Sequence, residues 1–201
     1  MRNFADVYQK KFKYCKTAIY NVTPEEYVQL KAFARQDGAL LSLLWIGGFA
    51  CYVQGLAYPV LGLASMLLMV VSPFFAAGRL RHFRDYAREG IITFSRGYAY
   101  TILIFFYAGL LLAAAIFIYF SFIDDGYLLG KLTSALHSAE GKKMIEVYGI
   151  GREMEEGLKT LHAMRPIDFA VNMLTINITA GILLGVPIAA LTQRSVVKNH
   201  S

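Results

Sequence analysis

Charged residues are missing from three long stretches of this 201-residue chain. Residues 39–78, 97–123 and 169–193 contain no Asp, Glu, Lys or Arg. Charged residues make up only 17% of the whole chain, against roughly 25% in average soluble domains. A helix on the surface of a soluble protein needs a polar face, and the first stretch offers none. These gaps in charge exclude an ordinary soluble helical bundle.

Residue types that bind metals or carry catalysis are also scarce. The chain has two cysteines and four histidines, and none of these residues pair at the spacing of a metal site. It has no glycine-rich phosphate loop, no Ser–His–Asp arrangement and no zinc-protease motif. We therefore expect no catalytic, cofactor-binding or metal-binding residue, no cofactor, and no enzymatic activity.

The uncharged stretches have the length of membrane spans, since about 20 apolar residues cross a bilayer as a helix. The first stretch is twice that length, and its "QGLAYP" segment predicts a turn between two spans. We predict an all-α, polytopic membrane protein with four transmembrane helices. The predicted parts are a cytoplasmic arm (1–38), a transmembrane domain (39–193; spans 39–55, 58–77, 98–122 and 169–191) and a basic tail (194–201).

Lys and Arg are divided unevenly between the two sides that four spans define. Six of the 20 lie in the 124–168 loop, and the other fourteen lie in the arm, the 79–97 segment and the tail. Short loops rich in Lys and Arg stay in the cytoplasm. The count predicts both termini in the cytoplasm of a bacterial inner membrane and the 124–168 loop on the outer side.

Five arginines stand in the connection between the second and third spans. They keep this connection cytoplasmic, and at headgroup depth each gains about 1 kcal/mol from anionic lipid. A docking surface for an acidic cytosolic partner is the functional alternative. Within this segment we expect a short separate helix that ends at Gly90. The candidate headgroup or partner surface consists of Arg79, Arg81, Arg84, Arg88 and Arg96.

Helices are also predicted outside the spans. "TPEE" at 23–26 has the residues of a capping box and starts an approach helix that runs towards Gly38, either lying at the membrane interface or continuing into the first span. The 124–168 loop is too long to lack structure, and "YLLGKLTSALHS" and "REMEEGLKTLHAM" both have helical spacing of apolar residues. We expect these two helices to pack over the span ends or to lie on the lipid surface.

Small and polar residues recur at helical spacing in the first and last spans. Small residues let helices approach closely, and Asn or Thr can donate hydrogen bonds across helices. The candidate helix-packing face consists of Gly47, Cys51, Gly55, Asn177, Gly181 and Gly185. A second, polar face of the last span could line a path for a solute, and it consists of Asn172, Thr175 and Thr179.

Ionisable residues inside a membrane usually mark function, and the four predicted spans contain none. This absence disfavours an ion-coupled transporter but leaves a pore for neutral solutes open. At the end of the third span, Asp124 and Asp125 are two adjacent acids. They supply too few ligands for a metal, and a solvated turn is the simpler interpretation.

The chain resembles a bacterial membrane family known only as domain of unknown function 4199. The resemblance lies in "FARQDGALLSLLWIGGFACYV", "GIITFSRGYAYTILIFFYAGLL" and "YFSFIDDGYL", together with the final apolar span and its basic tail. It covers about residues 33–195. The resemblance implies the four-span architecture and an accessory role in envelope or lipid-linked glycan metabolism, and it assigns no activity or binding residue.

We expect a non-catalytic inner-membrane subunit or scaffold. Its partners would be anionic lipid headgroups and another membrane protein, a cytosolic protein or a second copy of itself, but no nucleic acid. One alternative is a small oligomeric transporter or channel for a neutral or lipidic solute, formed around the polar face of the last span. A weaker alternative is a lipid-modifying enzyme that uses Asp124 and Asp125.

Overall fold

The computed structural model describes residues 24–194, and this part of the chain is almost entirely helical. Four of its helices are long and apolar enough to cross a membrane, which confirms the all-α prediction with four apolar helices. Three short helices lie between the third and fourth long ones. The helices are α1 (Pro24–Gly55), α2 (Pro59–Ala87), α3 (Phe94–Phe122), α4 (Tyr127–His137), α5 (Ala139–Tyr148), α6 (Gly151–Ala163) and α7 (Pro166–Thr192).

The approach helix and the first span form one helix. The 32 residues of α1 rise about 48 Å at 1.5 Å per residue, which is well beyond the roughly 30 Å of a hydrocarbon core. The helix begins at Pro24, and Thr23 of the predicted capping box lies outside the described residues. Residues up to Gly38 therefore extend the span as a rigid rod.

The arginine segment is helical as predicted up to Ala87, but it continues the second span and is not a short helix of its own. The helix α2 continues through Gly78 to Ala87, and Leu80 and Phe83 continue its buried face. The helix ends where the backbone turns left-handed at Glu89 (φ 51°) and Gly90 (φ 81°). Gly90 thus stands close to the predicted end, but the helix that ends there is the second span itself.

The long helices are arranged around α3, which packs most extensively against α7 and also against α1. On its other side, α1 packs against α2. The chain connects α2 to α3 near the place where α7 ends, because Ile92 and Arg194 exchange two backbone hydrogen bonds of 3.1 Å. We call this the arginine-bearing end of the bundle, and the opposite end, which carries α4–α6, the loop end.

The two helices predicted in the 124–168 loop correspond to α4 and α6. Between them the structure adds α5, which the sequence analysis missed because its lysines and glutamates interrupt any continuous apolar stripe. Ser138 caps this helix by accepting a hydrogen bond of 3.0 Å from the backbone N–H of Gly141. Gly149 ends it with a left-handed backbone (φ 66°).

Candidate functional site

A buried carboxylate joins three of the long helices at the arginine-bearing end. Asp37 of α1 has no exposed surface. One of its oxygens accepts a hydrogen bond of 2.7 Å from Nε of Arg79 on α2, and the terminal nitrogen of the same guanidinium completes the ion pair. The other oxygen accepts a hydrogen bond from the hydroxyl of Tyr100 on α3. Both carboxylate oxygens are therefore satisfied by partners from neighbouring helices.

This cluster is separated from the far ends of α1 and α2 by about the thickness of a hydrocarbon layer. Asp37 stands eighteen residues before the end of α1, and Arg79 stands twenty residues after the start of α2. These intervals correspond to about 27 and 30 Å of helix, the thickness of a bilayer core. A charge buried at this depth costs several kcal/mol unless it is paired. The guanidinium of Arg79 supplies that pairing while part of its surface stays exposed.

A second arginine fastens the end of α7 to α2. The side chain of Arg84 is 6% exposed, and one terminal nitrogen donates a hydrogen bond of 2.8 Å to the backbone carbonyl of Thr192. That carbonyl belongs to the last turn of α7, where helical carbonyls have no partner within the helix. The same guanidinium donates to both oxygens of Asp85, at 2.7 and 3.0 Å.

A third cluster lies nearer the start of α1, where α1 and α2 extend beyond the cluster of Asp37. Glu26 accepts hydrogen bonds from Arg88 at 2.8 Å and from Arg96 at 2.7 Å. The carboxylate thus bridges α2 and the first turn of α3. A cavity of about 10 Å³ beside these side chains has room for roughly one water molecule. Together, the three clusters connect all four long helices at one end.

Four of the five arginines of the candidate headgroup or partner surface thus have partners inside the chain: Arg79, Arg84, Arg88 and Arg96. Arg81 is exposed on the outside of α2. Nearby on the same helix, Tyr86 is 76% exposed and its ring stacks on His82 with centroids 5.6 Å apart. We call Arg81, His82 and Tyr86 the platform surface.

The candidate helix-packing face of α7 is occupied by α3 of the same chain. A Cβ atom built on Gly181 would lie 2.6 Å from Cβ of Phe105, and one on Gly109 would lie 3.0 Å from Cβ of Asn177. Gly185 similarly faces the ring of Tyr98 at 3.0 Å. This face therefore serves packing within the chain and is closed to a span of another protein.

The small residues of α1 differ in whether they lie in a close contact with α2. Gly55 lies against the backbone of Gly62, since an added Cβ would come within 2.6 Å of it. Around Gly47, by contrast, the described part of the chain leaves open space for a Cβ, and Cys51 is half-buried. Gly55 permits the tight contact between α1 and α2, and Gly47 does not take part in it.

The polar face of α7 points away from the other helices. Asn172, Thr175 and Thr179 are all exposed. The two threonine hydroxyls donate hydrogen bonds of 2.9 Å to backbone carbonyls four residues earlier, which satisfies them within the helix. This face does not line a path through the bundle of a single chain.

The two adjacent acids at the end of α3 have different surroundings. Asp124 is buried and accepts a hydrogen bond of 3.2 Å from the backbone N–H of Leu128, which satisfies a donor in the first turn of α4. Asp125 is exposed on a left-handed backbone (φ 41°). Within residues 24–194, no three His, Cys, Asp or Glu side chains come together as metal ligands would.

Asp37 is the residue that the sequence analysis missed. It stands two residues before the predicted first span and was therefore assigned to the polar arm. A signal was present, because two spans joined by a tight turn are antiparallel and bring Asp37 level with Arg79, the residue directly after the first uncharged stretch. Opposite charges at the same level of a helical hairpin predict an ion pair.

Four apolar helices, fastened at one end by buried ion pairs, are the architecture of a polytopic membrane protein. The family model described as "Protein of unknown function (DUF4199)" matches residues 36–194, and the chain belongs to this family. The match begins one residue before Asp37 and ends at Arg194, so it contains the cluster around the buried carboxylate. Neither the curated proteins nor the solved structures gave a match.

Proposed function

We propose that the chain is a non-catalytic subunit or scaffold of a bacterial inner membrane, with its arginine-bearing end and both termini in the cytoplasm. The orientation rests on the excess of Lys and Arg at that end, fourteen against six. Its partner is a cytosolic protein, or the cytosolic part of a membrane protein, that binds the platform surface.

The network of ion pairs between the helices at the arginine-bearing end is the observation that carries this proposal. From Arg79 to its last residue, Ala87, α2 rises about 12 Å, and the pairs Asp37–Arg79 and Glu26–Arg88, the second at the residue after the helix, hold it against α1 along that length. A surface that is ordered before binding loses little conformational entropy when a partner docks. These ion pairs hold α2 in place, so that the side chains of the platform surface keep fixed positions.

The composition of the platform surface fits a protein partner. Tyrosine and arginine are enriched at the centres of protein interfaces, and here they stand within two turns of one helix. The ring of Phe33 on α1 lies 6.5 Å from that of Tyr86, so the exposed tyrosine has apolar support behind it. Arg81 supplies the positive charge that favours an acidic partner over the lipid hydrocarbon.

Affinity purification from native membranes in mild detergent tests this proposal. The variant Arg81→Gln/Tyr86→Ala changes two exposed side chains of the platform surface, and Tyr148→Ala changes an equally exposed tyrosine at the loop end. We expect one protein to accompany the wild type and the Tyr148 variant in stoichiometric amount, and to be lost from the platform variant. Purification of the chain with lipid alone would count against a subunit.

A second candidate is a transporter or channel for a neutral solute, built by several copies of the chain. The outward position of Asn172, Thr175 and Thr179 favours it, because polar side chains on an outer face can line a pore only between copies. In vesicles that contain only this chain, this alternative predicts a solute flux that Asn172→Leu/Thr175→Leu abolishes. Vesicles without any flux would exclude it.

A further inference from the structure

Two arginines have no close partner at the place where α2 meets the end of α7. Arg81 lies on α2, and Arg194 stands two residues after Thr192, the last residue of α7. Both side chains are exposed, and within residues 24–194 neither of them forms a close ion pair or a hydrogen bond. The sequence analysis assigned Arg81 to the candidate headgroup or partner surface and Arg194 to the basic tail. Only the fold brings the two together.

The contact between α2 and α7 concentrates positive charge around one carboxylate. Arg84 binds the carbonyl of Thr192 and so fixes the end of α7 beside α2. The same guanidinium donates two hydrogen bonds to Asp85, and Arg81 and Arg194 both lie close enough for their charges to act on that carboxylate. Three positive charges and one negative charge leave a net charge of +2. We call Arg81, Arg84, Asp85 and Arg194 the arginine corner.

Exposed apolar side chains precede both free arginines on their helices. Leu191 stands three residues before Arg194 and is 78% exposed. Phe74 stands seven residues before Arg81, which is two turns and therefore on the same face of α2, and it is 73% exposed. Both helices are apolar enough to cross a membrane. An outer surface that changes from apolar to basic within two turns is expected where acyl chains meet headgroups.

We propose that the arginine corner binds the phosphate of an anionic phospholipid from the leaflet at the arginine-bearing end. A guanidinium matches two phosphate oxygens with two parallel hydrogen bonds, and the side-chain donors of Arg81 and Arg194 are free for this purpose. The net positive charge selects an anionic headgroup, because a zwitterionic headgroup brings a cation of its own that the arginines repel. Phe74 and Leu191 then lie against the acyl chains of the same lipid.

A soluble anion fits this corner less well than a lipid. Phe74 lies about 10 Å from Arg81 along the helix axis, and a free phosphate would reach the arginines and leave the apolar side chains uncovered. A phospholipid joins a phosphate to acyl chains and therefore meets both parts of the surface. Arg81 also belongs to the platform surface, so the bound lipid would lie beside a docked partner, but its binding does not require that partner.

Native mass spectrometry of the purified full-length chain in detergent tests the proposal. The chain is titrated with phosphatidylglycerol and, in parallel, with phosphatidylcholine, and the dissociation constant of the first bound lipid is measured. Arg81→Gln, Arg194→Gln and the double variant remove one or both of the exposed cations. The control Lys142→Gln/Lys143→Gln removes two exposed cations at the loop end and gives the chain the same total charge as the double variant. No other protein is present, so the outcome does not depend on the proposed function.

We expect the wild type and the control to bind phosphatidylglycerol more tightly than phosphatidylcholine. The dissociation constant for phosphatidylglycerol should rise about fivefold in each single variant and about 25-fold in the double variant, as expected for basic residues at a membrane surface. Equal losses in the double variant and the control would overturn the proposal, because the lipid would then respond only to total charge. Release of the bound lipid by an equal concentration of inorganic phosphate would also overturn it, since the corner would then recognise phosphate without a lipid.

Discussion

Gly38 sets how closely α1 and α3 approach each other. A Cβ built on this residue would lie 2.7 Å from Cβ of Tyr107 and 3.0 Å from the backbone oxygen of Ile104. Both atoms belong to the helix backbone or its first side-chain carbon, so neither can rotate away. The hydrogen bond between Tyr100 and Asp37, one residue before Gly38, needs the same short distance between the two helices.

We predict that Gly38→Ala lowers the free energy of unfolding by about 1–3 kcal/mol, because the two helices must move apart. Gly47→Ala, in the same helix but with open space around it, is the matched control and should cost nothing. Thermal unfolding of the purified variants in one detergent measures both. Equal stability of the two variants would show that α1 and α3 are not in close contact at Gly38.

The packing role of the small residues of α7 was easier to predict from the sequence than the ion pair of Asp37. The GxxxG spacing of Gly181 and Gly185 is visible in one helix, and these residues do lie in a helix contact. The role of Asp37 depends on two other helices. Its ion pair requires the hairpin of α1 and α2 to be closed in the right register, and that register is a property of the fold.

At the scale of the element, α2 combines a span with an extension that fastens α7. The carbonyl of Thr192 lies at the helix end and has no donor within the helix, and it accepts a hydrogen bond from Arg84. Three residues earlier on the same helix, Arg81 is exposed. Arg84 therefore makes a contact between helices, whereas Arg81 faces outward. Their spacing in the sequence does not show which arginine has which role.

We predict that Arg84→Gln destabilises the protein by about 1–3 kcal/mol, the cost of leaving a buried acceptor without its donor. Arg81→Gln should change stability by no more than about 0.5 kcal/mol, as surface substitutions do. Amide hydrogen exchange near Thr192 gives the local readout and should rise only in the Arg84 variant. Similar exchange in both variants would contradict the assigned contact between α2 and α7.

The four long helices were predictable because their uncharged stretches leave few alternatives. Their true lengths were not, since the charged residues that ended the predicted spans are the residues that pair across helices in the fold. Asp37 was assigned to a polar arm, and the arginines after Gly78 were assigned to a short helix in the connection between two spans. Charged residues suggest the end of a span in the sequence, but in the structure both helices continue past the last uncharged residue.

At the scale of the whole molecule, one end of the bundle is fastened and the other is open. Ion pairs and hydrogen bonds join all four long helices at the arginine-bearing end, whereas α2 and α7 diverge towards the loop end. The closed end is suited to presenting a fixed surface to a partner. The proposed function depends on the strength of the buried pair between Asp37 and Arg79.

A double-mutant cycle on that pair tests the account most directly. The wild type, Asp37→Asn, Arg79→Gln and the double variant are unfolded in the same mixed micelles. Each single variant leaves a buried group without its partner and should cost about 3–5 kcal/mol, and the double variant should cost less than the sum of the two by at least about 1 kcal/mol. Additive losses would contradict the account, because Asp37 and Arg79 would then act independently and the arginine-bearing end would not be fastened by their pairing.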